Sequence, residues 1–210
     1  MKFVGISQRV ERVDGYAERR DCLDQRWSEL AATLGWVALP LPNILPTKVQ
    51  TLFESLDLQG VILSGGNSLI SIDPKAPDAA PERDAFENAA IDAALTCNIP
   101  VVGVCRGMQI VNTHFGGSVT SCDGHVGTRH ALDVDHPYID LIDEPVNSYH
   151  AYTIGVDGLA PDLIPIACDD KGHIECLRHR EHSIAGLMWH PERESPFRNK
   201  DIALLKEFLR

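Results

Sequence analysis

The chain has 210 residues, 44% of them hydrophobic and 23% charged, and a formal net charge of −11. That length suits one core better than two, and the composition is globular rather than disordered. The acidic balance argues against a broad nucleic-acid or anionic-membrane surface, because phosphate contacts need clustered Lys and Arg. It leaves room for an anionic small molecule held by a few local arginines.

No apolar run approaches the roughly 20 residues that span a bilayer. The segment 1–7 turns polar without the apolar stretch of a signal peptide. Six cysteines (Cys22, Cys97, Cys105, Cys122, Cys168, Cys176) are scattered with no Cys-x-x-Cys pair, which reads as reduced thiols and a cytoplasmic location.

In chain order, Phe3-Val4-Gly5-Ile6 reads as a strand. Residues 20–34 place Leu23, Trp27, Leu30 and Leu34 on one stripe of an amphipathic helix ending at Gly35. Trp36-Val37-Ala38-Leu39 is a second strand, closed by the proline-rich loop 40–46. A short helix is expected over 47–56, then a third strand, Gly60-Val61-Ile62-Leu63, running into Ser64-Gly65-Gly66-Asn67. After a polar loop comes a helix over about 82–97, with Phe86, Ala90, Ala93 and Cys97 on one face. The segment 99–104 is almost wholly apolar, as a central parallel strand covered on both faces should be. Further strands are expected around 131–134, 145–148, 163–167, 173–178 and 183–188, and a last helix over about 199–209. Such alternation predicts an α/β fold with a parallel sheet, right-handed crossovers and a β-rich C-terminal part.

The apolar strand runs directly into Gly103-Val104-Cys105-Arg106-Gly107, a G-x-S-x-G elbow with Cys in place of Ser. An elbow presents its side chain at the carboxyl edge of the sheet, where open α/β sheets bind ligands. A helix from Met108 to Phe115 would point its N-terminus at the sulfur and favour the thiolate. A buried structural cysteine is the competing reading of this segment.

A thiolate nucleophile works with a histidine oriented by a third group. In Leu187-Met188-Trp189-His190-Pro191-Glu192 an apolar strand delivers His190 at its carboxyl end. Glu192 is two residues on, on the same face of extended backbone. Alone, the pair reads equally as a surface histidine beside a solvated glutamate; with Cys105 it reads as base and orienter.

Gly103-Val104-Cys105-Arg106-Gly107-Met108-Gln109 together with Trp189-His190-Pro191-Glu192 resembles the class I glutamine amidotransferase superfamily. The resemblance covers nearly the whole chain and is closest to the free-standing γ-glutamyl hydrolases of the peptidase C26 group. Leu63-Ser64-Gly65-Gly66-Asn67, Arg83-Asp84-x-x-Glu87 and Val146-Asn147-Ser148-Tyr149-His150 match further segments of that group. It implies a single domain over 1–210 with a flavodoxin-like, mostly parallel sheet flanked by helices. The implied catalytic residues are Cys105, His190 and Glu192, with the amides of Gly66 and Arg106 as oxyanion hole. The implied substrate contacts are Gln109, Asn147, Ser148, Tyr149, His150 and Arg83. The implied reaction is hydrolysis of a γ-glutamyl amide, with no cofactor, and with homodimer formation allowed. A γ-glutamyl-amine hydrolase of the γ-glutamyl-γ-aminobutyrate type and a glutaminase subunit feeding ammonia to a synthetase are the competing enzymes, and a silent binding protein the non-enzymatic alternative.

Within the group, Gly5-Ile6-Ser7-Gln8-Arg9 and His125-Val126-Gly127 with His130 are similar to the γ-glutamyl-CDP-amidate hydrolases of surface-polysaccharide phosphoramidate routes. That likeness implies that Arg9, Arg83, Arg129, His125 or His130 meets phosphates. His125, His130 and His136 have a spacing, His-x4-His-x5-His, that fits no usual metal pattern, so no metal is expected from it.

Overall fold

Val4 and Ile6 are fully buried because the strand that carries them, β1 (Phe3–Ser7), has a parallel neighbour on each side. The computed structural model describes residues 2–15 and 17–210. After β1 come β2 (Arg9–Arg12), β3 (Arg19–Cys22), α1 (Gln25–Leu34), β4 (Val37–Leu41), α2 (Val49–Ser55) and β5 (Leu58–Leu63). Next are α3 (Pro81–Cys97), β6 (Val101–Val104), α4 (Arg106–His114), β7 (Thr120–Ser121), β8 (Val126–His130) and β9 (Asp133–Val134). The chain closes with β10 (Val146–Tyr149), β11 (Tyr152–Gly155), β12 (Leu163–Cys168), β13 (His173–His179), β14 (Ile184–Leu187) and α5 (Asn199–Phe208).

The main sheet runs β4-β1-β5-β6-β14-β13-β11-β7. Every junction from β4 to β14 is parallel, and β13 then pairs antiparallel with β14, β12 and β11. The expected class therefore holds: a mostly parallel α/β sheet whose second half is β-rich. Helices cover both faces. Trp27, Leu30 and Leu34 of α1 share a core with Leu204 and Leu205 of α5. Phe53 of α2, Phe86 and Ile91 of α3 and Met108 of α4 pack on the other side. Among the described residues no helix is long and apolar enough to cross a membrane.

The register of β14 against β6 does most to build the site. Gly186 lies opposite Gly103 and Leu187 opposite Val104, and the Cys105 N–H continues the ladder to the Leu187 carbonyl at 2.7 Å. Two segments some 80 residues apart thus end side by side at the carboxyl edge of the sheet.

Three details differ from expectation. Residues 19–22 do not begin the first helix; they form β3, paired with β2 in a separate two-stranded sheet. Asp24 stops the strand and starts the helix, its carboxylate accepting the Arg26 N–H at 2.9 Å, the role of an N-cap acceptor. The second strand runs on through Pro40 to Leu41, since the hydrogen bond a proline cannot donate is not needed at a sheet edge. The strand expected at 131–134 shrinks to β9, and the preceding residues form β8, which pairs with β10 in a two-stranded sheet of its own.

Candidate active site

Cys105 sits between β6 and α4 with φ 53° and ψ −106°, a backbone that side chains other than glycine rarely adopt. The turn is tight enough to exclude side chains at its glycines. A Cβ on Gly103 would lie 2.2 Å from the Gly107 carbonyl oxygen, and one on Gly107 would lie 1.9 Å from that of Leu63. The elbow therefore presses α4 directly onto the end of β5. Burial by itself would push the Cys105 thiol up, but the neighbouring His190 and the Arg106 amide outweigh it and hold it below the ordinary thiol range.

His190 lies just past β14 and is buried. Its Nδ1 is 2.6 Å from Glu192 Oε1, which leaves Nε2 for the Cys105 side. Its backbone is clamped by Asn147, whose Oδ1 accepts the His190 N–H at 2.9 Å while its Nδ2 donates to the His190 carbonyl at 2.9 Å. Burial opposes the imidazolium, yet Cys105 and Glu192 together push His190 up to about 9. A lowered thiol beside a raised imidazole is the signature of a thiolate–imidazolium pair.

Across the cleft, residues 64–67 form the loop after β5. Gly66 has φ 83°, and its N–H has no backbone acceptor among the described residues. A buried ionic cluster supports this loop. Arg83 donates to the carbonyls of Ser64 at 2.6 Å and Gly66 at 2.6 Å, and through Nε to Glu87 at 2.8 Å. Arg106 reaches Glu87 and Asp84 with its two terminal nitrogens. Ser7 Oγ donates to Glu87 at 2.7 Å and accepts the Ser64 N–H at 2.9 Å. Burial would raise the Glu87 carboxyl, but Arg106 and Arg83 hold it below the usual range; burial lowers Arg83 to about 10.

The residues expected to touch substrate divide. Arg83 is fully buried beneath the 64–67 loop, so it supports that loop instead of facing substrate or phosphate. Asn147 is turned inward onto His190 and Glu194. Ser148 is buried, donating to the His125 carbonyl at 2.7 Å. Asn147 and Ser148 point to opposite faces of β10 and both faces are covered, so both side chains are buried, while Arg83 is drawn under the loop from α3. Tyr149, 46% exposed, sets its ring edge-on to His190 at 5.8 Å, under the guanidinium of Arg193. Gln109 is buried, with Nε2 on the Tyr152 carbonyl at 3.1 Å. His150 is buried with Nδ1 2.9 Å from the same carbonyl oxygen. Of the proposed phosphate contacts, His125 is buried and Arg129 pairs with Glu194 at 2.8 Å. His130 turns its Nε2 to within 3.7 Å of Glu175 Oε2, and Arg9, paired with Glu11 at 2.6 Å, borders the cleft with its guanidinium 3.4 Å from where a Cβ on Gly66 would stand.

Sequence reasoning missed Arg193, Glu194 and Glu175. Only Glu175 carried a signal, a charge inside the apolar strand His173-Ile174-Glu175-Cys176-Leu177. A cleft lined by Arg9, Ser64, Gly66, His190 and Arg193 opens at the site. Another cavity, of about 570 Å³, lies at the opposite, amino edge of the strands, around Lys2, Trp36 and Pro100, away from Cys105.

The model of the peptidase C26 family matches residues 2–192, a span that includes Cys105, His190 and Glu192. The chain belongs to the peptidase C26 family. This peptidase C26 chain is accordingly a hydrolase of C–N amide bonds. It is 32% identical to the γ-glutamyl-CDP-amidate hydrolase of Campylobacter jejuni subsp. jejuni serotype O:2 over 207 residues, 98% of this chain and 96% of that one. It is 28% identical to the γ-glutamyl-γ-aminobutyrate hydrolase of Escherichia coli O157:H7, over 90% of this chain and 85% of that one. In fold it matches a glutamine amidotransferase from Thermotoga maritima with a TM-score of 0.65 at 18% identity, covering 99% of this chain and 84% of that one.

Proposed function

We propose that this peptidase C26 chain hydrolyses a γ-glutamyl amide through a γ-glutamyl thioester on Cys105. The observation that carries this reading is His190, held at 2.6 Å by Glu192 and facing the thiol at the end of the adjacent parallel strand. The Cys105 thiolate attacks the γ-carbonyl carbon. The oxyanion that forms is met by the Gly66 and Arg106 N–H groups, and such donors are worth about 3–4 kcal/mol each. The His190 imidazolium gives its proton to the departing nitrogen, and the C–N bond breaks. Neutral His190 then takes a proton from water as it attacks the thioester, glutamate leaves, and the thiolate–imidazolium pair is restored. Glu192 fixes the tautomer and balances the cation.

The leaving group in this reading is a nucleotide phosphoramidate. The support is the 32% identity along nearly all of both chains to a hydrolase named for γ-glutamyl-CDP-amidate, together with Arg9 and Arg193 flanking the cleft. Guanidinium groups suit phosphate geometry. Glutamate release should be measured over γ-glutamyl-CDP-amidate, γ-glutamyl-γ-aminobutyrate and glutamine, with Cys105→Ala as control. Turnover of the nucleotide amidate well above the other two is the expected result. A preference for the γ-glutamyl amine would refute the leaving group, and activity surviving in Cys105→Ala would refute the mechanism.

A further inference from the structure

Beside the nucleophile but outside the triad lies a cluster that hydrolysis does not use. His125, His130, His150 and Glu175 bring one ligand atom each to within 4.8 Å of one another. Glu175 Oε1 is 3.3 Å from His150 Nε2 and 3.8 Å from His125 Nδ1, and Oε2 is 3.7 Å from His130 Nε2. A tetrahedral ion with bonds of about 2.0–2.1 Å holds its ligand atoms roughly 3.4 Å apart, and these separations bracket that value.

Among the described residues, His130 Nε2, His150 Nε2 and both oxygens of Glu175 are buried without a hydrogen-bond partner. Even the 3.3 Å pair falls short of hydrogen-bond geometry. Four orphaned polar atoms at one point, two of them on a fully buried carboxylate, would cost several kcal/mol if nothing satisfied them. Meanwhile the other nitrogen of every ring is engaged. His150 Nδ1 is 2.9 Å from the Tyr152 carbonyl oxygen, His130 Nδ1 3.3 Å from that of Ala131, and His125 Nε2 3.1 Å from Asp169 Oδ2. Metal-bound imidazoles are oriented in this way, by a carbonyl or carboxylate on the far nitrogen.

We propose that His125, His130, His150 and Glu175 bind one divalent transition-metal ion of the zinc type. Three imidazoles and a carboxylate are a ligand set suited to zinc, and four protein ligands in a buried site leave no open position, as in structural sites. The neighbouring group of His125, Asp169 and His173 is not a second site. Asp169 already accepts from the His173 N–H at 2.7 Å, the Lys171 N–H at 2.9 Å and the His173 ring at 2.9 Å, so it orients His125 from behind.

The ion has a mechanical task. His125 precedes β8, His130 ends it, His150 follows β10, and Glu175 belongs to β13 of the main sheet. Among the described residues the β8–β10 pair has no ladder to that sheet, and an isolated two-stranded pair is marginally stable. One ion would bolt this ribbon, which carries Asn147 and Tyr149 to His190, onto β13.

Metal content of the full chain purified from zinc-supplemented cells, followed by stripping with a chelator and titration with Co²⁺, tests this directly. The expected result is one zinc per chain, and one equivalent of cobalt showing the visible bands of a tetrahedral ion without thiolate charge transfer. Glu175→Gln and His130→Ala should weaken cobalt binding at least about tenfold, whereas His173→Ala and Cys105→Ala should keep the full equivalent. Zinc should also raise the melting temperature of the stripped wild-type chain, a reading that needs no variant to fold. Failure of the stripped wild type to bind cobalt would overturn the site. So would a thiolate charge-transfer band, or binding lost in Cys105→Ala but retained in Glu175→Gln.

Discussion

Arg83 and Arg106 share a single buried carboxylate, that of Glu87. Arg83 hangs under the 64–67 loop, and Arg106 opens α4 directly after Cys105. Glu87 therefore locks the two walls of the cleft together through side chains that never reach it. Removing the charge leaves two guanidinium groups buried and underpaired. Glu87→Gln is expected to cost about 3–5 kcal/mol of stability, read as a lowered denaturant midpoint. A change under about 1 kcal/mol would show that the cluster is not a clamp.

In the proposed mechanism Glu192 acts only through His190, whose Nδ1 it holds at 2.6 Å. Glu192→Gln keeps the shape but presents an amide to Nδ1, which weakens the hold on the tautomer and the cation. We expect kcat to fall by about 10²–10⁴-fold, with KM changed little and the fold intact by circular dichroism. Unaltered kcat would remove Glu192 from the proposed triad.

The pH profile follows from the shifts at Cys105 and His190. Acid protonates the thiolate and stops attack; alkali removes the imidazolium proton that the departing nitrogen needs. Because Cys105 is lowered, kcat/KM should rise at a pH below the ordinary thiol value of about 8.5. Because His190 is raised to about 9, it should fall again near that pH. A single rise centred above the ordinary thiol value would contradict the ion pair.

Asp201 offers a stability test outside the proposed triad. It accepts the Trp189 Nε1–H at 3.0 Å, and burial, the largest influence on it, pushes its carboxyl up to about 6. An acid raised in the folded state opposes folding when ionised, and the penalty, at most about 3 kcal/mol, vanishes as pH drops through 6 toward the unfolded value. Asp201→Asn should therefore stabilise the chain at pH 8 and change little near pH 4. Thermal melts at both values check the sign; equal effects at the two would defeat it.

A fourth variant probes the cleft wall. A methyl on Gly65 would stand 2.7 Å from His190 Cε1 and 3.6 Å from Cys105 Cβ. Gly65→Ala is expected to depress kcat at least about tenfold through displacement of the imidazole, while melting within a few degrees of wild type. Full activity would place His190 elsewhere in the working enzyme.

The elements that carry Cys105 and His190 were legible because their signals are local. The nearly all-apolar segment 99–104 running into Gly103-x-Cys105-x-Gly107 marks a buried strand and an elbow, and the apolar run before His190 marks a second strand, although Glu192 reaches His190 from a 3-10 turn over Pro191–Arg193 and not from the extended backbone expected. Helix limits were legible to within a few residues, except where Asp24 capped α1 later than its apolar stripe begins. What only the tertiary structure decided lies in pairs far apart in sequence. Nothing local tells that β14 docks parallel to β6, or that both faces of β10 are covered so that Asn147 and Ser148 are buried. Nor does the spacing of His125 and His130 disclose His150 and Glu175, because that cluster is closed by strand register and not by chain separation. A polar residue's role is set by which way its strand faces and by the partner it meets there, and both are properties of the packed sheet.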